Sequence, residues 1–155
     1  MANTQSMCTS FLGELMTATH NFGTAPLRAA TTADTFKAAL YFASATVNAS
    51  TTAYSTTGEV TNTSGSGYTA GGTTVTNGTA PTATNSSSTA GTAYWTPTAS
   101  FSWSALTVTT AFDAVLIYNS SQSNKAVSVH TFGSQTITSG TFTLTMPTNN
   151  TSAAL

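Results

Sequence analysis

Charge is what this chain has least of. Of 155 residues, three are Lys or Arg and four are Asp or Glu, so 5% are charged where an ordinary soluble domain has about 25%. The surface must therefore be built mainly from neutral hydroxyl and amide groups. With Arg28, Lys37 and Lys125 as the only cations, no patch can neutralise several phosphates, so nucleic acid is not an expected partner. No run of about 18 apolar residues occurs, so no transmembrane helix is expected. The start, MANTQSMCTSFLGELM, lacks the cationic and apolar regions of a signal peptide, which points to synthesis in a cytoplasm and to no membrane partner. Cys8 is the only cysteine, which excludes an internal disulfide or a Cys-based zinc site.

Catalytic groups are equally scarce. Acid, base and nucleophile must lie within hydrogen-bond reach of one another, and the chain offers four carboxylates and two histidines. Asp34, Asp113 and His130 could be drawn as a triad with one of many serines, yet no serine occupies a G-x-S-x-G elbow. Asp113 reads better as a turn or strand-edge residue. His20 and His130 form no H-E-x-x-H or other metal-ligand spacing. The glycine-rich SGSGYTAGGTT lacks the Lys and following helix of a phosphate loop, so its glycines read as turns. No enzyme activity, cofactor or metal is expected. Seven Asn-x-Ser/Thr sites, beginning at Asn48, Asn62, Asn77, Asn85, Asn119, Asn149 and Asn150, follow from the composition and are not read as glycan acceptors.

Thr and Ser fill more than a third of the positions. Thr is β-branched and fits a pleated, half-buried surface better than a helix. Aromatic residues make up 10% of the chain, enough to distinguish it from disordered sequence. DTFKAALYFAS alternates, with Phe36, Ala38, Leu40 and Phe42 expected on an inner face and Lys37, Ala39 and Tyr41 on an outer one. Thr73 to Thr76 reads as a brief strand, and Thr82 to Gly91 as an exposed loop. Phe101, Trp103 and Ala105 are expected on one face of a strand. FDAVLIYN does not alternate, as expected of a central strand covered on both sides. NSSQSN turns the chain, and Lys125 to Phe132 returns. A second hairpin is then expected in TITSGTFTLTMP, turning near Ser139 and Gly140, with Phe142, Leu144 and Met146 inward and Thr141, Thr143 and Thr145 outward. The pattern predicts an all-β fold: an antiparallel β-sandwich or jelly roll over residues 34–155, preceded by an N-terminal arm or short helix over 1–33.

Within that arm, Phe11, Leu12, Leu15 and Met16 fall at helical spacing, and Gly13 weakens the helix. A short apolar face of this kind needs tertiary or subunit packing, which makes Phe11, Leu12 and Leu15 candidate interface residues. Tyr94 and Trp95, beside Thr96 and Pro97, are the other candidates. As exposed rings they could anchor a protein contact or stack on a sugar, whereas Phe101 and Trp103 alternate with small residues and read as core.

TFKAALY at Thr35 to Tyr41, GEV at Gly58 to Val60, GYTAGG at Gly67 to Gly72, and AVLIYN with the later Phe132 and Gly133 carry a resemblance. From about Thr35 onward the chain resembles the small Thr/Ala/Gly-rich virion structural proteins of tailed bacteriophages. The resemblance implies a virion component made in the host bacterial cytoplasm, expected as a capsid decoration or cement protein that binds the outer shell. Its implied partners are the major capsid protein and further copies of itself, with a homotrimer as one arrangement and the N-terminal arm clasping a neighbour or the shell. A tail, neck or baseplate protein would share these features. A carbohydrate-binding module for host-surface glycan, with Tyr94 and Trp95 as platform, is the alternative of another class.

Overall fold

The computed structural model describes residues 3–16, 19–20, 22, 33–61, 65–76, 82–83, 93–94, 97 and 100–147. Along the chain, Ser6–Met7 forms β1, Thr9–Met16 α1, Phe36–Phe42 β2, Thr73–Thr74 β3, Thr82–Ala83 β4, Ala93–Tyr94 β5, Phe101–Asn119 β6 and Lys125–Leu144 β7. The fold is mostly antiparallel β-sheet. Five strands form one sheet in the order β1-β7-β6-β2-β3, and β4 pairs separately with β5. Among the described residues no helix is long and apolar enough to cross a membrane.

The stretch FDAVLIYN lies at the centre of the larger sheet, as its lack of alternation predicts. It forms the second half of β6, paired with β2 from Phe36↔Asn119 to Phe42↔Phe112 and with β7 on the other side. Phe112 and every residue from Ala114 to Asn119 are buried. Side chains pointing to either face meet protein, so neither face tolerates a polar row.

β2 departs from the expected one-sided pattern, because Ala39 and Tyr41 on its supposed outer face are as buried as Ala38 and Leu40. The segment after β2 folds back along that strand. Glu59 bridges to Tyr41, the Phe42 amide donates to the Gly58 carbonyl at 2.9 Å, and the Val60 amide donates to the Leu40 carbonyl at 2.9 Å. Sequence alternation reports one strand and its solvent; it carries no record of a later loop that covers the second face.

The expected second hairpin at Ser139 and Gly140 is also corrected. β7 runs without reversal for 20 residues beside the 19-residue β6, from Asn119↔Lys125 to Phe101↔Leu144. The chain turns once, through residues 120–124. Between Val108↔Ile137 and Leu106↔Gly140, β7 spends one more residue than β6, and Ser139 has φ 50°: this is a β-bulge. Ser and Gly serve bulges and hairpin turns alike, which is why the sequence pattern misleads here. Phe142, Leu144 and Met146 do pack partly against the core, and Thr141, Thr143 and Thr145 are exposed, as the alternation predicts.

Phe101 and Trp103 are core residues, but Ala105 does not share their face. It is exposed, with φ 52°, at a bulge between Trp103↔Phe142 and Leu106↔Gly140. The 65–72 loop is fastened beside this bulge by the Thr107 amide, which donates to the Ser66 carbonyl at 2.7 Å. Gly67 has to be glycine there, since a Cβ would lie 2.3 Å from the Ala105 carbonyl oxygen.

The described part of the N-terminal segment packs on the chain's own sheet. β1 pairs with β7 through Ser6↔Val129 and Met7↔Ser128, and Cys8 and Phe11 belong to the buried core. Leu116 lies at the middle of this packing and is fully buried. Replacing Leu116 with Ala should cost about 2 to 5 kcal/mol. A loss below about 1 kcal/mol in urea-induced unfolding would contradict its central position.

Candidate functional site

The structure gathers several of its ionisable groups into two clusters, one buried and one half-buried. The first surrounds Glu59, which is 4% exposed. Its Oε1 accepts hydrogen bonds from the Tyr68 hydroxyl at 2.7 Å and the Gly71 amide at 2.6 Å, and its Oε2 accepts one from the Tyr54 hydroxyl at 2.6 Å. The tyrosines pass the connection outward. The Tyr68 oxygen accepts from the Leu40 amide of β2 at 3.1 Å, and the Tyr118 hydroxyl of β6 donates to the Gly71 carbonyl at 2.8 Å. Tyr54 stacks on Tyr118 with ring centroids 4.5 Å apart. Gly72 lets the loop touch the sheet, because a Cβ there would lie 1.9 Å from the Ala38 carbonyl oxygen.

A buried carboxylate is tolerable only when donors replace its water, and three donors do so here. The charge also acts on the phenols around it. Burial, then the charge of Glu59, pushes the Tyr118 hydroxyl up to about 12. Burial is likewise the main cause that raises Tyr41 to about 12. Tyr54 and Tyr68 are raised further, by burial first and then by their bonds to Glu59.

The second cluster joins the N-terminal segment to the β6–β7 turn. His20 Nε2 lies 2.7 Å from Glu14 Oε2, and Lys125 Nζ donates to Glu14 Oε1. Asn119, fully buried, gives Oδ1 to the Ser121 amide and Nδ2 to Asp34 Oδ2 at 2.8 Å. With its amide oriented from both ends, the same Nδ2 donates to His20 Nδ1 at 3.0 Å, so Nε2 carries the ring proton toward Glu14. Bonds to Lys125 and His20 outweigh burial and hold the Glu14 carboxyl below its usual range. Phe11, Phe22 and Phe36 enclose the imidazole, with ring centroids 4.9 Å (Phe11) and 6.2 Å (Phe22 and Phe36) from His20.

The residues drawn together as a triad in the sequence lie apart. Asp34 accepts from Asn119 and Gln122 at one end of the β6 core segment. Asp113 accepts from the Asn3 amide, six positions back along the strand and so about 20 Å away. His130 stands opposite Val115 and meets the Ser128 hydroxyl at 3.0 Å; burial lowers its pKa. Cys8 is no ready nucleophile, because burial and then the Glu14 charge push its thiol up to about 11. Among the described residues, no three His, Cys, Asp or Glu side chains converge in a way that could hold a metal ion.

Of the candidate interface residues, Phe11 is 4% exposed and its ring packs on His20 and Phe22, so it faces the interior; Leu15, 43% exposed, is available to a neighbour. Leu12 lies within α1 and Tyr94 pairs through its backbone with Thr82, while the placement of both side chains, and all of Trp95, lies outside the described residues. The structure adds one open cleft of about 220 Å³, lined by Gly67, Thr69, Gly72, Thr73, Ser102, Trp103 and Ser104. No protein-family model, curated protein or solved structure matches the chain.

Glu59 is the residue that sequence reading missed. GEV and GYTAGG drew attention as phrases, but their physical link, a carboxylate in one receiving the Tyr68 hydroxyl and Gly71 amide of the other, needs the fold. Replacing Glu59 with Gln puts an NH₂ among three donors and should cost about 1 to 3 kcal/mol, measurable by urea unfolding beside a Tyr68→Phe control. Alkaline pH tests the same cluster. The folded-state tyrosine pKa values lie above the ordinary 10.0, so above pH 10 the unfolded chain releases protons that the folded chain keeps. Unfolding free energy should therefore begin to fall above about pH 9, where the unfolded Cys8 thiol ionises, and fall more steeply from pH 10 through about pH 12; a Cys8→Ala variant isolates the phenol part, and a flat profile for it from pH 10 to 12 would remove the buried-phenol assignment.

Proposed function

We propose that this protein is a structural component of a bacteriophage virion, a capsid decoration protein that binds the outer shell and stabilises it. The observation that carries the reading is where the charge goes. All four carboxylates tie one part of the fold to another: Glu14 to His20 and Lys125, Asp34 to Asn119 and Gln122, Glu59 to the tyrosine loop, Asp113 to Asn3. Groups that could serve chemistry are spent on rigidity, and the remaining surface is neutral and rich in hydroxyls. A building block needs those two properties. In this reading the five-stranded sheet is one layer of a sandwich or jelly-roll body, and its partner is the major capsid protein.

A domain that binds only the assembled shell stabilises it by mass action, and repetition over many sites multiplies the effect. A glycan-binding module is the second reading, favoured by the uncharged cleft in which Trp103 lies among the hydroxyls of Thr69, Thr73, Ser102 and Ser104. Cryo-electron microscopy of particles made by the source distinguishes them. Symmetric copies of this chain on the shell are expected, together with shells that rupture at lower temperature when the chain is withheld. Copies confined to the tail axis would move the assignment to a tail, neck or baseplate role, and absence from every particle would favour the glycan module.

A further inference from the structure

The two edges of the five-stranded sheet are finished differently. On the β2 side the backbone is sealed by residues 58–60 and by β3, ending with the Val75 amide, which donates to the Phe36 carbonyl at 2.8 Å. On the β7 side the first half is sealed too. β1 pairs with Val129 and Ser128, the Cys8 amide donates to the Val127 carbonyl, and the Ala126 amide donates to the Thr52 carbonyl. From Thr131 onward, no strand among the described residues pairs with the outer edge of β7. Between Thr131 and Pro147 no residue is buried.

Exposed edges are ordinarily blunted by Lys, by Pro or by bulges. Thr131 to Met146 contains no charged residue and no proline. Bulges interrupt it near residues 132–134 and at Ser139, which leaves Gly140 to Leu144 as an unbroken run to the end of β7, about 17 Å long, with Thr145 next in the chain. Its end reads Thr141-Phe142-Thr143-Leu144-Thr145, the same alternation of hydroxyl and apolar side chains in either direction. The Thr side chains are exposed, while Phe142 and Leu144 are half-buried on the other face.

From these features we infer that two copies of the chain join edge to edge through β7, antiparallel about a two-fold axis at Thr143. The outer edge of β6 from Phe101 to Thr110 also lacks a strand partner among the described residues, but the Ala105 bulge and the loop bonded at Thr107 interrupt it. The β7 run complements itself in antiparallel register, so like pairs with like and gives a closed, isologous dimer. In that register Thr141 meets Thr145, Thr143 meets itself and Phe142 meets Leu144. Hydroxyl thus lies beside hydroxyl and apolar beside apolar, and no like charges are brought together. The dimer depends on the strand edge alone and holds whether or not the protein resides on a virion.

Sedimentation of the full chain, with a monomer mass of 15.7 kDa, tests it. The unmodified protein should sediment at twice that mass and dissociate on dilution. Thr143→Lys places two ammonium groups across the axis and should weaken dimerisation about tenfold or more, and Thr143→Asp should do the same. Within one chain the Thr143 hydroxyl lies 3.2 Å from that of Ser102. Mixing the two variants should restore a dimer, which neither a folding defect nor loss of that contact could produce. Thr61→Lys, exposed on a loop beyond the sealed β2 edge, should leave dimerisation unchanged. A monomer at every concentration, or a dimer indifferent to Thr143→Lys, would overturn the inference; the first result would leave the edge to a strand from another protein.

Discussion

Three donated hydrogen bonds to a buried carboxylate hold this molecule's loops to its sheet. Glu59 lies where solvent cannot reach it, so the cost of desolvating its charge is met only while Tyr54, Tyr68 and Gly71 all point inward. Those three come from residues 53–61 and 65–72, which form no strand longer than an isolated bridge. Tyr68 and Gly71 in turn bind β2 and β6 through Leu40 and Tyr118. One charge thereby orders a loop that would otherwise lose more conformational entropy than its few apolar contacts return. It also explains why both faces of β2 are buried.

The paired β6 and β7 give the second constraint. Two strands of 19 and 20 residues are long for a globular protein, and bulges at Ala105 and Ser139 re-aim them along the way. The half nearest the turn is buried within the sheet and locked to the N-terminal segment by the Glu14, His20 and Asn119 cluster. In the distal half neither outer edge has a strand partner among the described residues, and only the β6 edge is interrupted, by the Ala105 bulge and the loop bonded at Thr107. Stability is concentrated at one end of the ribbon and availability at the other, an arrangement suited to a part that is held firmly while it meets neighbours.

Much of the fold is legible in the sequence because hydrophobic patterning is local. FDAVLIYN announces its central position by its lack of alternation, and Thr141 to Met146 announces its two faces by strict alternation. The Ser139 bulge has the sequence of a turn because the same small residues satisfy both geometries. Phe11 fits helical spacing as expected of an amphipathic helix, but whether its apolar face meets a partner or the chain's own core depends on His20 and Phe22, which the spacing does not reveal. Asp34, Asp113 and His130 could be grouped on paper because residue type alone gives no separation; β6 keeps the two aspartates at opposite ends of its buried segment.

By itself the sequence determined a neutral, hydroxyl-rich all-β protein with one dense central strand, since residue composition and period two act over a few neighbours at a time. Only the tertiary structure decided that Glu59 is the hub, that β7 continues where a turn was expected, and which sheet edge is left open. Those outcomes depend on contacts between residues far apart in the chain, such as Glu14 with Lys125 and Asn3 with Asp113. No local pattern encodes them, because their free energy exists only once the backbone has brought both partners out of water together.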